Sequence, residues 1–286
     1  MTVIDAHCHP EWQGYNYEKL IANMDGYGIT KAWILPVQMP HDEYDPQYIP
    51  ENPALGPDGP IPFSRALAFR DRDPDRFILG FAPDPRRPES IDLLKSYIKL
   101  YDIKIYGEYK YRMMYDDFDA IDMYRFCGEA GLPVVLHLDY PLLMDHRYPR
   151  PHWWYGGDIE TLARAMHLCP ETYFLGHAPG FWPHISGDDR GRTEQYPDGP
   201  VLPGGRIPEL LDELPNFYCD MSGTSGFNAL NRDHDHAKKF LVKYQDRLVF
   251  GRDNYDNKQQ ELIRSLDLPD PVLAKIFHLN AEKLIN

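Results

Sequence analysis

The chain has 286 residues, a length within the range of one (β/α)8 barrel. Its formal net charge of −14 argues against nucleic acid or an anionic membrane as a partner, because both would be repelled. The four cysteines are scattered without a C-x-x-C pair, and neither a transmembrane-length apolar run nor a signal-peptide pattern is present. We therefore expect a cytoplasmic protein without structural disulfides.

Short apolar runs alternate with amphipathic patterns along the whole chain. The runs predict eight strands, at residues 3–8, 31–36, 77–82, 102–106, 133–138, 172–177, 216–221 and 247–251. Between them, apolar residues at the spacing i, i+3, i+4 and i+7 predict helices. No repeat or linker-like segment interrupts this pattern, so we expect a single domain over residues 1–286.

Alternating strands and helices favour a parallel sheet, and eight strands is the number found in a closed barrel. A doubly wound open sheet would need a glycine-rich phosphate loop after its first strand, and H-C-H-P-E-W supplies none. We therefore predict a (β/α)8 TIM barrel. Three long connections, at residues 37–62, 139–156 and 178–205, follow strands on the side where barrel enzymes carry their sites.

The first predicted strand ends in two histidines, His7 and His9, on either side of Cys8. Alternate residues of a strand face the same side, so both imidazoles should face the barrel mouth while Cys8 faces away. Two imidazoles presented in this way can bind one metal ion. Two histidines satisfied by hydrogen bonds would produce the same pattern, so this motif alone leaves both interpretations open.

Single polar residues recur at the carboxyl ends of later strands: His137, His177, Asp220 and Asp253. A buried histidine or aspartate without a partner is costly, so several of them converging on one mouth indicate a shared cation. A mixed set of nitrogen and oxygen ligands suits zinc best, with manganese or iron as alternatives. The strand ends therefore predict a site for one divalent metal ion.

The fourth strand places Lys104, Tyr106 and Glu108 on one face, if its alternation is regular. Lys104 either reaches the site or pairs with a neighbouring acid. Glu108 either reaches the ion or is solvated in the loop that follows. A single metal ion is the expectation, and a second ion bound through Glu108 or Lys104 is left open.

Trp153 and Trp154 lie in the long connection after the fifth strand, where they would either close over a substrate or pack the loops together. The cations Lys104, Arg112 and Arg252 lie near the predicted mouth. They indicate a small-molecule substrate that carries a carboxylate.

Several strand motifs resemble those of the amidohydrolase superfamily, specifically the amidohydrolase-2 family of metal-dependent hydrolases and decarboxylases. The resemblance rests on five motifs in the order of the first, fifth, sixth, seventh and eighth strands: D-A-H-C-H, V-V-L-H-L, F-L-G-H, Y-C-D-M-S-G and V-F-G-R-D. It implies that His7, His9, His137 and Asp253 bind the metal ion. It further implies that His177 and Asp253 are catalytic. The family commonly has a small residue where this chain has Arg252, so Arg252 either adds a cation beside Asp253 or points outward.

The resemblance implies a hydrolase in which a metal-activated water attacks an amide, ester or lactone carbonyl. The same site would also serve non-oxidative decarboxylation, and the motifs do not separate the two reactions. A barrel that binds a small ligand without catalysis and a metal-free lactonase are further alternatives. A homodimer is also left open.

Overall fold

The computed structural model describes residues 2–40, 43, 59–139 and 156–286. The eight predicted strands are all found in this part of the chain. They are β1 (Ile4–Cys8), β2 (Lys31–Ile34), β3 (Phe77–Leu79), β4 (Tyr106–Tyr109), β5 (Val134–His137), β6 (Phe174–His177), β7 (Phe217–Asp220) and β8 (Leu248–Val249). The fourth strand begins at Tyr106, later than the predicted residue 102.

Helices connect the strands and cover the outside of the sheet. They are α1 (Tyr17–Gly26), α2 (Phe63–Arg72), α3 (Ser90–Tyr101), α4 (Phe118–Glu129), α5 (Ile159–Leu168), α6 (Arg206–Glu213), α7 (Gly223–Asn231), α8 (His234–Lys243), α9 (Lys258–Ser265), α10 (Asp270–Ala274) and α11 (Asn280–Ile285). Asparagine or aspartate side chains cap several amino ends; Asp158, for example, accepts a hydrogen bond from the Thr161 backbone. Across the described ranges, no helix is both long enough and apolar enough to cross a membrane.

The strands pair in parallel and in sequence order, as β1 to β3 and as β4 to β8. Between these two groups, Gly80 forms a parallel bridge with Ile105. On the other side, the backbone N–H of Ala6 donates to the carbonyl of Phe250 at 2.9 Å, which joins β1 to the end of β8. These two junctions close the sheet, so the predicted TIM barrel is confirmed.

The barrel interior is filled by apolar side chains from the strands, which include Ile4, Trp33, Ile105, Val135, Leu175 and Val249. Ala281 and Leu284 of α11 join this inner layer. A larger apolar layer packs the strands against the surrounding helices. The polar side chains described below lie at the carboxyl ends of the strands, where the inner layer stops.

Two strands depart from regular alternation. The β1 register shifts between Asp5 and Cys8, and the β4 register shifts between Tyr106 and Tyr109. In β1, Ile4 and Ala6 belong to the inner layer, so unbroken alternation would turn His7 outward. The irregularity lets His7 follow Ala6 on the inner side, because bulges re-aim side chains locally.

The same effect in β4 changes which residues face the mouth. Ile105 belongs to the inner layer and Tyr106 to the outer layer, whereas Glu108 faces the histidines at the strand ends. The prediction that Lys104 and Tyr106 share a face with Glu108 is therefore wrong. The register shift between them is the physical reason.

Candidate metal centre

His7 and His9 present their Nε2 atoms to each other across the mouth, 3.2 Å apart. His7 Nδ1 lies 2.6 Å from Asp220 Oδ2, and His9 Nδ1 lies 2.8 Å from the carbonyl oxygen of Leu35. Burial raises the pKa of Asp220, but His7 and His177 outweigh it and leave that pKa lowered. Asp220 is thus ionised and can only accept a hydrogen bond. The Leu35 carbonyl is likewise an acceptor and never a donor. Both Nδ1 atoms must therefore carry protons.

With both protons on Nδ1, the two Nε2 atoms of neutral imidazoles would point lone pairs at each other. Either a further proton, held as an N–H between the two nitrogens, or a metal ion beside them removes that repulsion. Two nitrogen ligands of a tetrahedral zinc ion lie about 3.4 Å apart, for Zn–N bonds of about 2.0–2.1 Å, which is close to the separation seen. Burial lowers the pKa of His7, but the carboxylates of Asp220, Asp253 and Glu108 overcome it and raise that pKa to about 10. The surroundings favour a positive charge, which a metal ion would supply.

Two carboxylates complete the immediate surroundings of this histidine pair. Asp253 Oδ1 lies 3.4 Å from His9 Nε2, and Glu108 Oε2 lies 3.6 Å from the same nitrogen. Asp253 follows β8 and has a φ of 57°. Aspartate tolerates this left-handed conformation better than most residues. The backbone N–H of Asp253 donates to the His7 carbonyl. Burial raises the pKa of each carboxyl, but the neighbouring histidines leave both pKa values well below the usual range.

His137 and His177 lie on the other side of Glu108. Glu108 Oε1 is 2.5 Å from His137 Nδ1 and 3.9 Å from His177 Nε2. His177 Nε2 is also 3.6 Å from Asp253 Oδ2, and its Nδ1 lies 2.9 Å from the Ser222 hydroxyl. Burial and the nearby His7 lower the pKa of His177, so its imidazole is neutral at pH 7.

Among the described residues, three groups of side chains have ligand atoms within 4.8 Å of one another. They are His7, His9 and Glu108; Glu108, His137 and His177; and His7, His177 and Asp220. The first two groups share the carboxylate of Glu108. The resemblance implies that His137 binds the same ion as His7 and His9. In the structure, however, Glu108 lies between His137 and that histidine pair. Glu108 is 3% exposed and is not a solvated loop residue.

Two of the suggested cations lie away from this centre. The Lys104 ammonium pairs with the neighbouring Asp102 at 2.9 Å and its side chain is 41% exposed. Of the two alternatives the acid pair is therefore the one found, and Lys104 does not reach the mouth. Arg252 is turned outward, where its Nε donates to Asp5 at 2.7 Å and its Nη1 donates to Asn23 of α1. Arg112 donates its backbone N–H to Glu43. Trp153 and Trp154 lie outside the described residues.

A cavity of about 60 Å³ opens beside the centre. Its apolar wall consists of Trp12, Val37, Met39, Pro60 and Ile61. Its polar wall consists of His9, Glu108, Lys110, His137 and Asp253. The site therefore joins a charged reaction centre to a surface that suits a flat or aliphatic group.

Lys110 and Asp139 are residues of this site that our sequence analysis missed. Lys110 Nζ lies 2.9 Å from His137 Nε2, and Asp139 Oδ1 lies 3.0 Å from the same nitrogen. Both follow a recognised site residue by two positions, Lys110 after Glu108 and Asp139 after His137. That i+2 spacing was the available signal.

Comparison with known proteins gives one family and several similar folds. The profile of the amidohydrolase family matches residues 4–286. No curated protein matches the chain at a significant level. An uncharacterized TIM-barrel protein from Bordetella bronchiseptica has a TM-score of 0.65 and 17% identity, covering 99% of this chain and 98% of that one.

Two other solved structures carry more chemical detail. A 2,6-dihydroxybenzoate decarboxylase complexed with 2,6-dihydroxybenzoate has a TM-score of 0.58 and 15% identity, covering 99% of this chain and 98% of its own. An amidohydrolase from Burkholderia multivorans with bound zinc has a TM-score of 0.61 and 13% identity, covering 100% and 99%. At these identities the structures establish the shared fold, whereas the profile spans nearly the whole sequence. The chain therefore belongs to the amidohydrolase family.

Proposed function

We propose that the protein is a metal-dependent hydrolase that cleaves an amide, ester or lactone bond of a small substrate. The observation that carries this proposal is the pair of Nε2 atoms of His7 and His9, which face each other at 3.2 Å with both Nδ1 atoms already engaged. In this proposal His7, His9, Asp253 and Glu108 hold a divalent ion, with zinc favoured by the mixed nitrogen and oxygen donors. Such an ion supplies a polarised carbonyl and a water of lowered pKa.

The remaining chemistry falls to side chains of the chain itself. Asp253, with its ionised carboxylate and partly exposed side chain, accepts the proton of the attacking water and returns it to the leaving group. His177 is neutral and lies 3.6 Å from Asp253 Oδ2, so it can exchange that proton or donate a hydrogen bond to the carbonyl oxygen. Ser222 orients the imidazole through Nδ1.

The number of bound ions depends on Glu108. Its Oε2 lies 3.6 Å from His9 Nε2, and its Oε1 lies 3.8 Å from His7 Nε2 and 2.5 Å from His137 Nδ1. The carboxylate thus faces both histidine groups, which favours a second ion held by Glu108, His137 and His177. With a single ion, His137 instead stays hydrogen-bonded to Glu108 and Lys110. The two stoichiometries differ in whether removing His137 lowers the metal content.

Metal analysis of protein never exposed to chelator tests the proposal. We expect at least one zinc, manganese or iron ion per chain and its loss in the double variant H7A/H9A, together with loss of turnover on a panel of lactones, esters and amides. A content near two that falls to near one in H137A supports two ions, and a content near one that H137A leaves unchanged supports one ion. Metal-free protein would overturn the proposal, and turnover of lactones in EDTA would then identify a metal-free lactonase.

Non-oxidative decarboxylation is the second candidate function. It is favoured by the apolar wall around Trp12, Val37 and Ile61, which suits an aromatic ring, and by the fold shared with a 2,6-dihydroxybenzoate decarboxylase. Incubation of metal-loaded protein with hydroxybenzoates separates the reactions, because only decarboxylation releases CO2. Bound metal without turnover in either panel would support a barrel that binds a small ligand without catalysis.

A further inference from the structure

A second cavity, of about 150 Å³, lies between the segments that follow β7 and β8. Its wall comes from the start of α7, from the segment after β8 and from the first turn of α9. Among the described residues, none lines both this cavity and the reaction cavity. Gly223 lies at the boundary, because a Cβ added there would be 3.2 Å from Asp253 Oδ2. The cavity therefore adjoins the metal centre without being part of it.

Two buried polar side chains of this cavity lack hydrogen-bond partners for part of their polar atoms. Arg252 is 3% exposed and Gln259 is 5% exposed, and both line the cavity. Within the described ranges, Arg252 Nη2 and both polar atoms of the Gln259 amide have no partner. A buried donor or acceptor without a partner is costly, and folded proteins leave few of them. These atoms therefore indicate a site for a polar ligand.

The guanidinium of Arg252 is held in place through its other two nitrogens. Nε donates to Asp5 Oδ2 at 2.7 Å, and Nη1 donates to Asn23 Oδ1 at 2.7 Å. These contacts fix the plane of the group and leave Nη2 as the donor for a ligand. A guanidinium that is fixed before binding loses little freedom when the ligand arrives. Arg252 therefore gives this cavity a preorganised cation.

The start of α7 adds backbone donors to the same cavity. α7 is a nine-residue helix between β7 and α8, and Thr224 in its first turn lines the cavity. The first turn of a helix leaves N–H groups without intrahelical partners, and these groups favour anions. One of them, the N–H of Gly223, donates to the Arg252 carbonyl. Ser222 does not cap the others with its side chain, because its hydroxyl contacts His177.

We propose that this cavity binds a phosphate group, either as free phosphate or as part of a small phosphate monoester. Among its described lining residues, two cations, Arg252 and Lys258, accompany one carboxylate, Asp256, although the whole chain has a net charge of −14. Asp256 pairs with Lys258 at 3.1 Å, so Arg252 Nη2 is left for the anion.

The place of the cavity in the fold supports a phosphate over other anions. TIM barrels frequently bind phosphate between the loops after strands 7 and 8, at the start of a short extra helix, and this cavity occupies that position. Its donors come from a helix start, a guanidinium and an amide, an arrangement that suits a tetrahedral anion with several oxygens. The proposal does not depend on the proposed function, since no metal ligand lines the cavity among the described residues.

Isothermal titration calorimetry with inorganic phosphate tests the proposal. We expect the metal-loaded wild type to bind phosphate with a Kd below about 10 mM. Q259L replaces the amide by an apolar side chain of similar size, which removes the unpartnered atoms without a large cost in stability, and should raise the Kd at least about fivefold. Q245L is the matched control, because Gln245 lies outside the cavity and its amide donates to the Val242 carbonyl at 2.8 Å; its Kd should equal that of the wild type.

Two further titrations locate the anion and identify its source. Phosphate also binds metal ions, so the titration is repeated with excess EDTA; an unchanged Kd supports this cavity, and loss of binding in protein that stays folded overturns the proposal. Glycerol 3-phosphate is then compared with inorganic phosphate. Tighter binding of the ester supports a phosphate monoester as the ligand, and weaker binding supports the free ion.

The proposal is overturned if the wild type binds no phosphate up to about 50 mM, or if Q259L binds it as tightly as the wild type. If Q259L fails to fold, K258M decides, because the Lys258 side chain is 67% exposed and its loss leaves the core intact. A Kd raised at least about threefold in K258M supports the proposal, and an unchanged Kd counts against it. Metal content and turnover, which judge the proposed function, do not enter these titrations.

Discussion

The carboxylate of Asp220 lies behind His7 and sets which ring nitrogen faces the cavity. Its Oδ2 is 2.6 Å from His7 Nδ1, and its Oδ1 accepts the N–H of Ser222 at 2.9 Å. Gly251 permits this close packing, since a Cβ there would lie 2.9 Å from Asp220 Oδ1 and from His7 Cβ. Asp220 is fully buried and therefore acts through the imidazole that it orients.

Replacing Asp220 tests this orienting role. D220N keeps the size of the side chain but removes the charge that holds the proton on His7 Nδ1. We expect about 10- to 100-fold weaker metal binding, the usual effect of losing a partner of a ligating histidine. Competition with a chelator of known affinity measures it. D212N is the control, because Asp212 is exposed and pairs with Lys243 on the surface; equal affinities of D220N and wild type would contradict the role.

The junction of β1 with β8 depends on a buried ion pair as well as on backbone bonds. Arg252 donates its Nε to Asp5 Oδ2 at 2.7 Å, and both side chains are at most 2% exposed. The Arg252 backbone N–H donates to the other Asp5 oxygen at 2.9 Å. These contacts hold the segment that carries Asp253 against the strand that carries His7.

Breaking this ion pair should destabilise the barrel. R252M leaves the Asp5 carboxylate buried without its partner, which costs about 3–5 kcal/mol in comparable cases. Urea unfolding measures the change. R206M is the control, because the partly exposed pair of Arg206 with Glu160 should contribute less than about 1 kcal/mol. A similar loss in both variants would show that the Asp5 pair does not hold the junction.

The fold as a whole encloses all four cysteines. Cys8, Cys127, Cys169 and Cys219 are buried and unpaired in the structure. Burial raises the pKa of each thiol, to about 11 for Cys169 and well above the usual value for the other three. Thiolates react and thiols do not, so both burial and protonation protect these residues.

Thiol reactivity should therefore report unfolding of the whole barrel. We expect less than one equivalent of DTNB to react quickly with the folded protein at pH 8, and four equivalents after denaturation in guanidinium. The absorbance of the released thionitrobenzoate gives both counts. Rapid labelling of a thiol in the folded state would show that the segment around that cysteine opens locally.

The barrel and part of its site were predictable from the sequence for a physical reason. His137, His177 and Asp220 end apolar strands, and a polar residue at a strand end is visible as a break in a hydrophobic run. Glu108 and Lys110 were harder to place, because the β4 register shift changes which residues face the mouth. Period-two reasoning assumes an unbroken strand, so it assigned Lys104 to the wrong face.

The position of the buried tyrosines could not be predicted from the sequence either. We expected Tyr106 to face the mouth, but it lies with Tyr109, Tyr115 and Tyr124 in the buried outer layer beside β4 and β5. Two of these phenols have hydrogen-bond partners: the Tyr106 hydroxyl donates to the Pro83 carbonyl at 2.9 Å, and the Tyr115 hydroxyl donates to the His137 carbonyl. Such partners come from distant parts of the chain and leave no local pattern.

The register shifts in β1 and β4 limit how this centre can be transplanted. A designed barrel is built from regular strands, in which inward and outward positions alternate without interruption. Ala6 and His7 both face the barrel interior here. On a regular strand, one of the two side chains would instead face the surrounding helices. A graft that reproduces the centre must therefore carry both irregular segments with their neighbouring strands, and copying the side chains alone is not enough.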